Sequence, residues 1–231
     1  MKSEKVTDER LSTERWYDDA CGTAHALELV GERWSLLIVR ELMFGGRRFS
    51  ELRASLPGIS ANILTQRLAG LEAAGIARRR RLPPPANVQV YELTDWGYQA
   101  EVAIQELGRW AARSPTHDPS LPLSAASLML SFRTMIDRPR AASCPARIGF
   151  RFGAEAFVAR IGADGIEIER GEPAGVDAVL TSDPMTIAGI VYGGRPIADA
   201  EAAGVLRVEG DRAIAEQVTG LFVLPPKAGA G

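Results

Sequence analysis

Apolar side chains in the first part of the chain recur at intervals of three and four. Leu27, Val30, Trp34, Leu37, Ile38 and Leu42 set this spacing between positions 21 and 44, and Gly31 marks a break between two helices. Gly45-Gly46-Arg47-Arg48 reads as a turn, Ser50 as the N-cap of a short helix over 51–56, and Pro57-Gly58 as its stop. Ser60 caps a longer helix, ANILTQRLAGLEAAG, which Gly75 closes in a position suited to a left-handed residue. The period then changes. IARRRRL at 76–82 and VQVYEL at 88–93 are strand-like and joined by PPPAN, so a hairpin is expected. A further helix over 94–112 carries Trp96, Ala100, Ala103, Ile104, Leu107 and Trp110.

Three prolines in WAARSPTHDPSLPLS, 110–124, interrupt the helical pattern and mark a linker. Beyond it the pattern predicts a helix over 124–136, a break at 137–146, and strands over 147–152, 156–162 and 165–170, the last two joined at Ala163-Asp164-Gly165. A strand over 178–183 passes into a helix with Pro184 in its first turn, and a strand over 204–211 into a final helix over 211–222. The terminal PPKAGAG should fray. The chain thus reads as an arm (1–20), a first domain (21–112), a linker (113–123), a second domain (124–224) and a disordered tail (225–231), α+β overall.

A short helix, a turn, a longer helix and a hairpin form a winged helix-turn-helix pattern. Leu64, Leu68 and Leu71 share one face of the longer helix, while Asn62 and Gln66 project nearly opposite, with Thr65 and Ala69 beside them. Amide side chains can pair bidentately with adenine in a major groove. Candidate DNA contacts are therefore Asn62, Thr65 and Gln66 on the helix with Ser60 and Arg67 at its start and flank, Arg47 and Arg48 in the turn, and Arg78, Arg79, Arg80 and Arg81 in the hairpin. A solvated polar face is the alternative for the helix.

Charge moves the balance toward DNA. The net charge of −2 excludes a uniformly basic coat protein, yet residues 33–81 hold ten arginines against Glu41, Glu51 and Glu72, while residues 116–231 are net acidic. Apolar runs such as SLLIV fall far short of the ~18–20 residues a spanning helix needs, and the charged N-terminus lacks an apolar signal segment, so a cytoplasmic protein without a membrane partner is expected. Two cysteines and two histidines, without CxxC or HxxxH spacing, point to no metal and no cofactor. No Ser-His-Asp set, G-x-S-x-G, P-loop or paired-carboxylate spacing stands out, so an enzyme is not expected.

CGTAHALELVGERWSLLIVRELMFGGRRFSELRASLPGISANILTQRLAGLEAAGIARRR, followed by VYELTDWG, resembles the HxlR-type winged helix-turn-helix transcriptional regulators of bacteria over about residues 21–112. The resemblance implies a homodimer joined through the arm before Cys21 and the helix over 94–112; the alternative is that this helix packs on the second half of its own chain. For Cys21 it implies the redox-sensing role of some relatives, against the bland use of free cysteine as a small buried residue. D-P-x-x-x-x-x-I-V-Y-G-G followed by G-V-L-R-V-E-G-D resembles sterol-carrier-protein domains over about 120–224. That implies a sheet and helices around an apolar tunnel, lined by Phe150, Phe152, Phe157, Met185, Ile190, Tyr192 and Phe222.

The expectation is a repressor that binds double-stranded DNA as a homodimer at an inverted repeat, modulated by an apolar small molecule in its C-terminal domain. A thiol switch through Cys21, or a lipid carrier whose N-terminal half only dimerises, are the alternatives.

Overall fold

The structure, a computed structural model, describes residues 17–229; most of the expected arm and the last two residues lie outside that range. Four helices open the chain: α1 (Gly22–Val30), α2 (Ser35–Leu42), α3 (Phe49–Ser55) and α4 (Ala61–Ala73). The break between α1 and α2 is completed at Trp34, a non-glycine residue at φ 83°. α3 begins two residues earlier than a Ser50 cap allows, because Glu51 accepts from the Arg48 N–H at 2.8 Å and caps the helix there. Ser60 caps α4 as expected, accepting from the Ile63 N–H.

The hairpin β1 (Ala77–Arg81) and β2 (Gln89–Leu93) pairs antiparallel, and Arg47 adds a two-bond bridge to Tyr91 at its edge. Thr94 fastens the hairpin's exit. Its hydroxyl donates to the Gly75 carbonyl at 2.7 Å and accepts from the Gly97 N–H, capping α5 (Asp95–Gln99). Any Cβ at Gly97 would meet the Ile76 carbonyl at 2.1 Å, so the close approach requires glycine. α6 (Glu101–Ala112) completes the first domain.

The second domain contains α7 (Ala125–Met135), α8 (Arg138–Ala142), β3 (Ala146–Phe152), β4 (Glu155–Gly162), β5 (Gly165–Arg170), β6 (Ala178–Ser182), α9 (Pro184–Val191), α10 (Ile197–Ala202), β7 (Leu206–Gly210) and α11 (Arg212–Thr219). Its sheet runs β5-β4-β3-β6-β7, antiparallel except where β3 meets β6. α8 and α10 are absent from the sequence expectation because five or six residues carry too little of a helical period to register. The tail also departs from expectation. Ala228 donates to the Arg113 carbonyl at 2.7 Å, and the Lys227 ammonium donates to the carbonyls of Ala112 and Ser114. These bonds satisfy carbonyls left open at the end of α6 and anchor the tail through residue 229.

The two domains meet across a shared core. Phe44 packs edge-on against Phe157, with ring centroids 5.5 Å apart. The Arg133 guanidinium lies over the Phe44 ring and donates to both Glu101 oxygens, at 2.8 and 3.0 Å. Ser124, the cap of α7, donates to buried Glu41 at 2.6 Å. Among the described residues no helix is long and apolar enough to cross a membrane.

Candidate nucleic-acid interface

Leu64, Leu68 and Leu71 seat α4 in the core, leaving Asn62, Thr65, Gln66 and Ala69 exposed on its opposite face. The Thr65 hydroxyl donates back to the Ala61 carbonyl, so the amides of Asn62 and Gln66 are the freer readers on this face. Ser60 contributes as a cap. Arg67 is diverted: it donates to the Arg33 carbonyl at 3.0 Å and is ion-paired to Glu32, so it ties α4 to the α1–α2 turn instead of projecting outward.

The hairpin presents all four arginines to solvent, but each is held. Arg78 and Arg80 donate to the two oxygens of Glu92 at 2.9 and 2.6 Å. Burial opposes ionisation of Glu92, but the two guanidinium hydrogen bonds outweigh it and keep its carboxyl below the usual range. Arg79 lies over Tyr91 and pairs with Glu72, and Arg81 donates to Asn87. Sequence reasoning missed Glu92 as the organiser of this charge; its place on the strand opposite Arg78 was the available signal.

Arg48 stays exposed beside α3, whereas Arg47 corrects the expectation for its position. It is only 5% exposed and faces the second domain, donating to Glu155 at 2.5 Å and to Ser55 at 3.2 Å. The wing's third-strand bridge turns its side chain inward, out of reach of a duplex. The Arg170 guanidinium completes this cluster through its own bond to Glu155. The local excess of arginine is therefore smaller at the surface than along the chain, since Glu32, Glu92 and Glu155 neutralise it from outside residues 33–81.

α6 divides its apolar residues between both expected uses. Ile104, with Ala100 at the N-cap, packs against the chain's own core, while Val102, Leu107 and Trp110 of α6 and Trp96 of the preceding α5 remain exposed, Trp110 at 73%. α1 has no buried residue and exposes Leu27. Leu29 and Val30 at its end pack partly against the chain's own core, and the rest of this nine-residue helix is largely open.

Cys21 corrects the bland reading. It is exposed at the start of α1, not packed as a small apolar residue. Hydrogen bonds from the backbones of Thr23 and Ala24 and from the Thr23 side chain hold its thiol pKa below the ordinary value.

The expected apolar tunnel is filled. Phe132 of α7 stacks on Phe222 at 4.3 Å and meets Phe150 at 5.6 Å, while Phe152 meets Phe157 at 6.2 Å. Phe150, Phe152, Phe157, Ile190 and Phe222 are buried, and Met185 and Tyr192 are half-buried. Tyr192 shares a 2.7 Å hydrogen bond with Ser131. The residual void among these rings is about 10 Å³, about one water molecule's worth. Phe132, absent from the expected lining, is the residue that closes it.

Residues 29–118 match the HxlR-like helix-turn-helix family. The chain is 38% identical over 87 residues to the uncharacterized HTH-type transcriptional regulator YvaP of Bacillus subtilis, covering 37% of this chain and 80% of that one. It is 38% identical over 86 residues to the HTH-type transcriptional regulator YodB of the same bacterium, covering 37% and 77%. The solved structure of reduced YodB is 35% identical, covers 42% of this chain and 98% of that one, and superimposes with a TM-score of 0.38. The family match stops at residue 118, before α7 begins.

Proposed function

The chain belongs to the HxlR-like helix-turn-helix family of transcriptional regulators, and from that premise we propose that it binds a specific inverted-repeat operator as a homodimer and represses from it. The exposed Asn62–Gln66 face of α4 beside a wing carrying four exposed arginines carries this reading. Base edges would be read by Asn62 and Gln66, with Thr65 beside them. Phosphates would be met by Arg48, Arg78, Arg79, Arg80 and Arg81. The unburied α1 and the exposed stripe on α6 support dimerisation, which would place two copies of α4 about one helical turn, ~34 Å, apart.

Gln66→Ala and Arg79→Ala separate these roles. In binding titrations on a selected duplex and a scrambled one, Gln66→Ala should cost about 1–3 kcal/mol on the selected duplex alone. Arg79→Ala should weaken both duplexes alike and lower the slope of log affinity against log salt by about one. If the two variants behave identically, the assignment of contacts is wrong.

A second reading, redox control through Cys21, is favoured by the exposure of its thiol and the hydrogen bonds that stabilise its thiolate. Alkylation of Cys21, followed by peptide mass spectrometry across a pH series, should reach half-maximal rate at a pH below that of a free cysteine. A midpoint at or above the free-thiol value would count against thiolate chemistry there.

The second domain is assigned the sensing role. Its filled aromatic core offers no preformed space for the apolar effector expected among Phe150, Phe152, Phe157 and Phe222.

A further inference from the structure

The two domains leave between them an open cleft of about 1160 Å³, slightly larger than the roughly 300–1,000 Å³ usual for a small-molecule site. Trp34, Leu37 and Ala54 line it from the first domain; Leu121, Leu123 and Phe152 line it from the linker and the second domain. Arg47, Glu155 and Arg170, with Ser55, also line it.

Arg40, Arg47 and Arg170 meet Glu51, Glu155, Glu172 and Asp183 along this lining, so unused hydrogen-bond donors, and not net charge, distinguish the site. Two guanidinium groups share the single carboxylate of Glu155. Three of their nitrogen atoms, Arg47 Nε and Arg170 Nε and Nη2, are buried without a hydrogen-bond partner among the described residues. The remaining acids along the cleft are committed elsewhere. Glu51 is 3.6 Å from Arg47 Nε, but is about half exposed and caps α3 through the Arg48 N–H. Glu172 pairs with Arg151 at the solvent edge, and Asp183 caps α9 through Thr186. Arg40 is held by Glu41. Guanidinium groups with unused donors beside apolar walls complement an acid on an apolar body.

We propose that this cleft binds an amphipathic organic monoanion, its acidic head on Arg170 and Arg47 and its apolar body between Leu37, Leu121 and Phe152. The position gives the ligand a route to the DNA-facing surface, because Arg47 also bridges Tyr91 in the wing hairpin. A head group that competes with Glu155 for Arg47 acts on the joint between the domains. This site is independent of the filled aromatic core and rests on the regulator reading only for its consequence at DNA.

Two fluorescent probes test the assignment on the full chain without DNA: anilinonaphthalene sulfonate, a monoanion, and phenylnaphthylamine, the same ring system without the charge. Arg170→Gln keeps Glu155 paired with Arg47, so the fold should survive. It should weaken the anionic probe at least about tenfold and leave the neutral probe unchanged. Ala54→Trp, built from an exposed position, fills the cleft and should remove saturable binding of both probes. The proposal is overturned if binding ignores both variants, as it would for dye on the exposed face of α6. It is equally overturned if Arg170→Gln weakens both probes alike. Loss of operator recognition would leave these outcomes untouched, so the site and the regulator reading fail separately.

Discussion

Replacing Glu155 with glutamine should destabilise the folded chain by about 3 kcal/mol, the lower end expected for breaking a buried ion pair, since Glu155 keeps some exposure. The substitution preserves shape and removes the only carboxylate that Arg47 and Arg170 share. Arg47 is buried and cannot recover the loss by turning to water. The effect depends on pH with a defined sign. Burial works against ionisation of Glu155, but the hydrogen bonds from Arg47 and Arg170 outweigh it, so the folded carboxyl titrates below its usual value. Its contribution is complete above the unfolded value of about 4.3 and is lost as pH falls through the lower folded value. Urea unfolding at neutral pH should show the full gap between wild type and variant, and the gap should close in acid. A gap that persists unchanged in acid would mean that the charge of Glu155 is not its source.

Trp110→Glu should convert the proposed dimer to a protomer and remove the proposed operator binding with it. On an isolated protomer Trp110 is largely exposed, so a glutamate there should leave thermal stability nearly unchanged. In a dimer joined along Trp96, Leu107 and Trp110, the same glutamate is an unpaired charge in an apolar interface. A penalty of about 3–5 kcal/mol weakens dimerisation by roughly two to four orders of magnitude. Sedimentation equilibrium reads the change directly. A variant that remains dimeric, or a wild type that is monomeric at the same concentration, contradicts the interface.

Local patterns made the first domain legible. Helical spacing, the Ser60 cap, Gly75 and the change of period at the wing each have a local cause, and the structure realises each within a residue or two. The exposed face of α4 followed from the same spacing. What sequence could not show was where long side chains turn. Arg47 and Arg67 sit in the same basic stretch as Arg79, yet Glu155, over one hundred positions away, and Glu32 draw them aside. The apolar residues of the second domain had the right alternation for either a tunnel or a packed core. Only the insertion of Phe132 from α7 decided for the core. The split of α6 into an inward and an outward stripe likewise depended on α7, which packs beside it from across a proline-rich linker.

Selection of duplexes from a random pool by the full chain, with the stoichiometry of the recovered complex measured by light scattering, tests the central claim most directly. The expected result is an inverted repeat whose half-sites lie about one helical turn apart, bound by two chains, with affinity falling as salt rises. Recovery of duplexes with no shared sequence, or of a single half-site bound by one chain, would contradict it.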